Sequence, residues 1–191
     1  MNLIFDIGNV LLQFKPASFL EELFPDQNLR EKLLQTIFQS PDWLQIDQGL
    51  LTHEEATARF CTREPELAAK ICQVMEQLPT MLTPMQETVS LLPALKERGH
   101  KLYYLSNYHA ELRHVFEGQP FYPLFDGGVF SCDVQLMKPN PAIYQHLLDI
   151  YRLSPGDCVF FDDMEENTIA AETEGIRGVL FTGADCVKSF L

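Results

Sequence analysis

Basic residues are scarce in this chain: 14 Lys and Arg stand against 27 Asp and Glu, a formal charge of -13. Nucleic acid and anionic membrane surfaces are polyanions that attract a basic patch, so neither is an expected partner. The acidity reads as solubility. Cysteine is sparse too, with five residues at 61, 72, 132, 158 and 186, no C-x-x-C pair and no Cys/His cluster at zinc spacing. That excludes a disulfide framework or a zinc-built fold, and the five are expected to be reduced, mostly buried thiols. No apolar run approaches the ~18 residues that span a bilayer, and no basic segment leads into an apolar one ahead of the first strand. A soluble, cytoplasmic protein is expected. Repeats, low-complexity tracts and flexible linkers are absent as well.

What is present is a chain of 191 residues, 46% hydrophobic, enough for one packed domain with an insertion. It is organised around its first segment, the apolar run from Leu3 to Leu12, interrupted by a carboxylate at Asp6 and a Gly8-Asn9 pair. This predicts a buried strand that opens into an acid-bearing loop. From Pro16 the period changes: Phe19, Leu20, Leu23 and Phe24, then Leu29, Leu33, Leu34, Ile37 and Phe38, recur at helical spacing. A capping box at Thr52 to Glu55 starts a third helix and a fourth follows Pro65. Residues 16–80 thus read as a helical insertion, and 1–15 with 81–191 as the core.

Thr83-Pro84-Met85-Gln86 predicts a second capping box, opening a helix kinked at Pro93 and closed by Gly99. A strand from His100 to Leu105 follows, with Ser106-Asn107 where it should meet a helix N-terminus suited to anions. A short strand is expected over Val129–Cys132, a helix after Lys138-Pro139-Asn140-Pro141, a fully apolar strand from Cys158 to Phe161 running into Asp162-Asp163, a helix from Asn167 to Gly175, and a last strand over Val179–Phe181. Alternating strands and helices predict a Rossmann-like parallel sheet with right-handed crossovers.

Such a sheet carries its chemistry at the C-terminal ends of its strands. Asp6, Ser106, Lys138, Asp162 and Asp163 would all meet there. Singly, each has a plain alternative: a turn for Asp6, helix caps for Ser106-Asn107 and for Asp162-Asp163, a solvated loop lysine for Lys138. Their convergence argues for function, and two adjacent carboxylates after an apolar strand need a cation or donors nearby.

The ordered segments FDIGNV, LSN, MKP and VFFDD resemble the four motifs of the haloacid dehalogenase superfamily, and the helical insertion resembles its cap. FDIGNV, MKPNPAIYQH and VFFDD are most similar to the group that includes bacterial alpha-D-glucose 1-phosphate phosphatases. The resemblance implies that Asp6 is a nucleophile taking up a phosphoryl group, that Ser106 and Asn107 bind phosphoryl oxygens, and that Lys138 offsets the charge of both. It also implies Mg²⁺, held by Asp6, the Gly8 carbonyl, Asp162 and Asp163, with Asn167 an alternative to Asp162. Three aspartates and a dianionic phosphate amount to about five negative charges against one from Lys138, so a divalent cation is needed, and an all-oxygen donor set suits Mg²⁺.

Gly8 departs from the motif. Relatives usually carry an aspartate there as general acid and base, and glycine holds no proton. A cap residue, a water or the substrate would take its place; Trp43, Asp47 and His53 are the cap candidates, with core packing the plain alternative for Trp43 and solvated helix ends for the other two. The expected activity is a Mg²⁺-dependent phosphatase acting on a small phosphate ester, a sugar phosphate such as alpha-D-glucose 1-phosphate. The competing readings are a metal-free haloacid dehalogenase and a catalytically weak relative that binds a ligand. Oligomeric state leaves no readable sign.

Overall fold

A computed structural model describes residues 1–191. Five parallel strands form one sheet in the order β3-β2-β1-β4-β5: β1 (Asn2–Phe5), β2 (Lys101–Ser106), β3 (Gly127–Phe130), β4 (Cys158–Asp162) and β5 (Arg177–Leu180). Between β1 and β2 lie α1 (Pro16–Leu23), α2 (Gln27–Leu33), α3 (Pro41–Asp47), α4 (His53–Arg63) and α5 (Ala68–Met81), then α6 (Gln86–Val89) and α7 (Leu92–Glu97). The remaining helices are α8 (Arg113–Glu117), α9 (Ser131–Val134), α10 (Pro141–Tyr151), α11 (Glu165–Thr173) and α12 (Asp185–Lys188). The architecture is therefore the expected α/β Rossmann-like core with an inserted helical cap. No helix is long and apolar enough to cross a membrane.

β1 is central, flanked by β2 and β4, and its Leu3, Ile4 and Phe5 are completely buried. A strand buried on both faces has no use for polar alternation, which is why β1 and β4 read as unbroken apolar runs. Leu3 and Phe5 enter the large core that also holds cap residues such as Ile37, Trp43, Phe60 and Ile71, so cap and sheet share one hydrophobic cluster. Ile4 faces a smaller cluster with Tyr144, Leu147 and Phe160 under α10.

The first apolar run does not stay a strand to Leu12. After Asp6, whose N–H still donates to the Phe161 carbonyl at 2.9 Å, the N–H groups of Leu11 and Leu12 both fold back onto the Ile7 carbonyl at 2.9 Å. Asn9 turns the chain with φ 53, a left-handed conformation that Asn tolerates better than most residues. Gln13 N–H then donates to the Thr83 carbonyl at 2.8 Å, and Met85 N–H to the Leu11 carbonyl at 2.9 Å. Thr83 to Met85 is consequently paired with the outgoing chain and forms no capping box; α6 starts beyond it, with no side-chain cap. Pro93 does not kink a helix either. It sits in the first turn of α7, where its missing N–H has no helical acceptor to lose.

Two further expectations are corrected. Ser131 and Cys132 belong to the short α9, not to β3. Of the cysteines, Cys158 alone is buried; the other four are partly exposed, and Cys61 on α4 faces Cys72 on α5 with 3.8 Å between the free thiol sulfurs.

Candidate active site

In the order 3-2-1-4-5, chain connections leave β1 in one direction and reach β4 in the other, so the switch point of the sheet lies between them. Phe5 is paired with Phe161, which puts the next residues, Asp6 and Asp162, side by side at the C-terminal end. Here a cavity of about 220 Å³ opens between sheet and cap. Asp6, Gly8, Ser106, Asn107, Lys138 and Asp163 line it, together with Asn167.

Lys138 stands at the centre of the charged groups. Its Nζ lies 2.8 Å from Asp6 Oδ1 and 2.6 Å from Asp162 Oδ2, and its side chain is almost fully buried. Burial alone would favour a neutral amine, but the charges of Asp6 and Asp162 override it and hold the ammonium above its ordinary pKa. Asp6 shows the opposite balance. Burial raises its pKa to about 6, with Asp162 adding to the rise, while Lys138 and, more weakly, the Ser106 hydroxyl oppose it. The Ile7 N–H also donates to Asp6 Oδ1 at 2.7 Å, fixing one carboxylate oxygen.

The paired aspartates have different surroundings. Asp162 has no exposure at all; Oδ1 accepts from Met164 N–H at 2.8 Å and from Asn167 Nδ2 at 2.9 Å, and Oδ2 receives Lys138. It does not line the cavity. Asp163 does, with Oδ2 accepting from Asn9 Nδ2 at 3.0 Å, and its pKa is raised by burial. One carboxylate oxygen from each of Asp6, Asp162 and Asp163 lies within 4.8 Å of the others, a spacing that a shared cation can bridge. This hard, all-oxygen donor set fits Mg²⁺ and offers nothing to a softer metal.

Ser106 ends β2 and is nearly inaccessible, but no helix starts there. The next helix, α8, begins at Arg113. The reason lies in the partners of the two following residues. Asn107 donates from Nδ2 to the Lys138 carbonyl at 3.0 Å and accepts the Lys138 N–H on Oδ1 at 2.9 Å, and Tyr108 N–H donates to Ser131 Oγ at 2.9 Å. Both are tied to the segment that follows β3, Tyr108 to the first residue of α9 and Asn107 to the loop before α10, so the anion-binding helix end expected from the sequence does not form. Asn107 uses both ends of its amide to hold the Lys138 backbone.

A family model described as haloacid dehalogenase-like hydrolase matches residues 1–175. This chain is a haloacid dehalogenase-like hydrolase. A sesquiterpene phosphatase of Aspergillus oryzae is 29% identical to it over 188 residues, covering 97% of this chain and 92% of that one. In fold, the hydrolase is similar to a family enzyme of Bacteroides thetaiotaomicron solved with magnesium and inorganic phosphate (TM-score 0.74, 22% identical, covering 95% of this chain and 94% of that one). It is also similar to the L-2-haloacid dehalogenase of Xanthobacter autotrophicus (TM-score 0.67, 17% identical, covering 93% and 75%).

The hydrolase's cap contributes Trp43 and Asp47 to the cavity, the segment after β1 adds Phe14, and the loop after β2 adds Tyr108, His109 and Leu112. Trp43 packs in the core, the plain alternative weighed for it, and its ring also borders the cavity, with its centroid 4.3 Å from that of the His109 ring. Asp47 is not a solvated helix end but a wall of the cavity. His53 is half-buried at the start of α4, and its pKa is lowered by burial and by His109. Sequence reasoning missed Asn9, Ser131 and His109. Only His109 had a readable signal, its place two residues after Asn107.

Proposed function

We propose that this hydrolase is a Mg²⁺-dependent phosphatase of small phosphate esters, with residues 16–80 as its cap. The observation that carries this reading is Asp6, which faces a cavity beside the buried ammonium of Lys138 and within cation-bridging distance of Asp163. Asp6 is the nucleophile: the oxygen not engaged by Lys138 attacks phosphorus, the bond to the leaving-group oxygen breaks, and an aspartyl phosphate forms. Lys138 supplies positive charge to nucleophile and phosphoryl oxygens alike, and Ser106 offers a hydroxyl donor. Asn107 acts through Lys138, whose backbone it holds in register. Asp6, Asp163 and the Gly8 carbonyl would hold Mg²⁺, with Asp162 or Asn167 beside them. When bound, Mg²⁺ would offset the negative charge that otherwise keeps a phosphate away from a carboxylate. Water then attacks phosphorus, releasing phosphate and regenerating Asp6.

The motif resemblance favours a sugar phosphate such as alpha-D-glucose 1-phosphate as substrate. A second class, apolar alkyl phosphates, is favoured by Phe14, Trp43, Leu82 and Leu112 on the cavity wall and by the sesquiterpene phosphatase among the relatives. Phosphate release with and without Mg²⁺, screened over sugar phosphates, prenyl phosphates and an aryl phosphate, tests the reading. Turnover that requires the metal supports it. Halide release from a haloacid in the presence of chelator, with no phosphate release from any ester, overturns it.

A further inference from the structure

The side chain of Asn9 reaches from the loop after β1 to Asp163, 154 positions further along the chain. It does so from a turn with φ 53, in the left-handed region, where the Asn9 N–H donates to the Leu12 carbonyl at 2.7 Å. Glycine and asparagine accept that conformation and branched residues resist it. The turn by itself would be met by either of the two, and glycine would strain it less, so the amide needs its own explanation.

Both ends of that amide are used. Oδ1 accepts the Phe14 N–H at 3.0 Å, and Nδ2 donates to Asp163 Oδ2 at 3.0 Å. A backbone N–H can only donate and a carboxylate only accept, so a single orientation of the amide satisfies both. An aspartate at this position would keep the acceptor for Phe14 and lose the donor for Asp163. A glycine would lose both.

The two ends lead to different parts of the protein. Asp162 is held by Lys138, Met164 and Asn167 together, whereas Asn9 is the one other side chain that hydrogen-bonds Asp163. One Asp163 oxygen is thereby engaged, and the other has no side-chain partner. Phe14, at the opposite end of the amide, lies where the chain approaches the cap: α1 starts at Pro16, and the Phe14 ring centroid is 6.0 Å from that of Trp43 and 6.3 Å from that of Phe38. Phe14, Trp43 and Asp163 all line the cavity. Asn9 is thus a direct link between a metal-ligand candidate and the wall formed with the cap.

We propose that Asn9 is the positioning residue of the metal site: Nδ2 holds Asp163 in the orientation that Mg²⁺ requires, and Oδ1 ties that ligand to Phe14 at the entry of the cap. This rests on the Mg²⁺-dependent reading above. Mg²⁺ demands near-ideal octahedral geometry, whereas Ca²⁺ accepts a looser and more variable set of oxygens. A carboxylate released from its tie can still follow Ca²⁺ and loses more when it must meet Mg²⁺. Groups that orient a ligand in this way typically carry about 10- to 100-fold of metal affinity.

Calorimetric titration of Mg²⁺ and of Ca²⁺ into the protein without substrate tests the role through the ratio of the two affinities. In Asn9→Gly, which keeps the left-handed turn, Mg²⁺ should bind ~10- to 100-fold more weakly and Ca²⁺ less than about threefold more weakly. Asn9→Asp removes only the donor; its added charge draws both divalent ions alike, so the ratio should fall there too. Emission from Trp43, the single tryptophan of the chain, separates the two ends of the amide. It should shift in metal-free Asn9→Gly, where the Phe14 N–H loses its acceptor, and keep the wild-type position in Asn9→Asp. The ratio in Asn9→Asp decides alone if Asn9→Gly does not fold. An unchanged ratio overturns the hold on Asp163, and equal emission in wild type and Asn9→Gly overturns the tie to Phe14; either result leaves the phosphatase reading standing. Wild-type protein that binds no Mg²⁺ and releases phosphate without it overturns the metal reading and this proposal together.

Discussion

The ammonium of Lys138 lies 2.6 Å from Asp162 Oδ2, and neither side chain has measurable contact with solvent beyond 1%. This pair is a framework within the site: Asp162 anchors the lysine, and the lysine is thereby aimed at Asp6, 2.8 Å away. The first of the two adjacent aspartates serves mainly to hold charge in place, and the second faces the cavity.

Lys138→Met should therefore cost both activity and stability. Asp6 and Asp162 would be left as buried carboxylates without their shared cation, and breaking a buried pair from one side typically costs about 3–5 kcal/mol. Denaturant unfolding near neutral pH measures it. A loss under about 1 kcal/mol would show that the cluster is less dependent on the lysine than its burial implies.

Asp6→Asn should abolish turnover with little change in stability, because the shape is kept and Lys138 retains Asp162 as its partner. Phosphate release and thermal melting of the same preparation check both halves. Substantial turnover by the folded variant would remove Asp6 from its role.

Chelation should stop activity and Mg²⁺ should restore it. A ligand that binds the folded chain raises its stability by mass action, so Mg²⁺ should also raise the melting temperature, and Asp163→Asn should abolish that rise. An unchanged metal response in Asp163→Asn would exclude it as a ligand.

Gly8→Asp in the otherwise unaltered protein should give no gain in turnover. A Cβ at Gly8 would meet only Phe14 Cβ, at 3.7 Å, so the backbone accepts the substitution. The new carboxylate adds negative charge beside the phosphate and should raise KM. A gain approaching ~10²-fold would show that nothing had replaced the missing acid.

The cap carries its own pH dependence. Burial works to raise the pKa of Asp42, but hydrogen bonds and charge from Arg63 and Arg59 override it, and the net pKa is below the ordinary 3.8. A depressed carboxyl pKa stabilises the fold at pH above the unfolded-state value, and that contribution is lost as pH falls through the folded value. Melting temperatures of wild type and Asp42→Asn should therefore differ above pH ~4 and converge in stronger acid. Parallel curves down to pH ~2.5 would rule the pair out as a contributor.

Much of this molecule was legible in the residue order. Apolar runs at 2–5 and 158–161, separated by helical spacing, determined a parallel sheet with an inserted helical cap, because burial on both faces of a strand and on one face of a helix is a local pattern. The acids at strand ends were visible for the same reason, since their places follow from where each strand stops, and Lys138 was visible just ahead of the helix that Pro141 opens. Tertiary structure alone decided what each of them does. Asp162 and Asp163 are neighbours in sequence, yet one turns inward to Lys138 and Asn167 and the other toward the cavity. Asn107 resembled an anion-binding helix start until Lys138 took both ends of its amide. Asp47 and His109 lie on opposite sides of the cap boundary, and nothing in the spacing of either points to the other. Hydrogen bonds and ion pairs depend on distances of a few ångströms between groups far apart in the chain, and those distances exist only once the cap is packed onto the sheet.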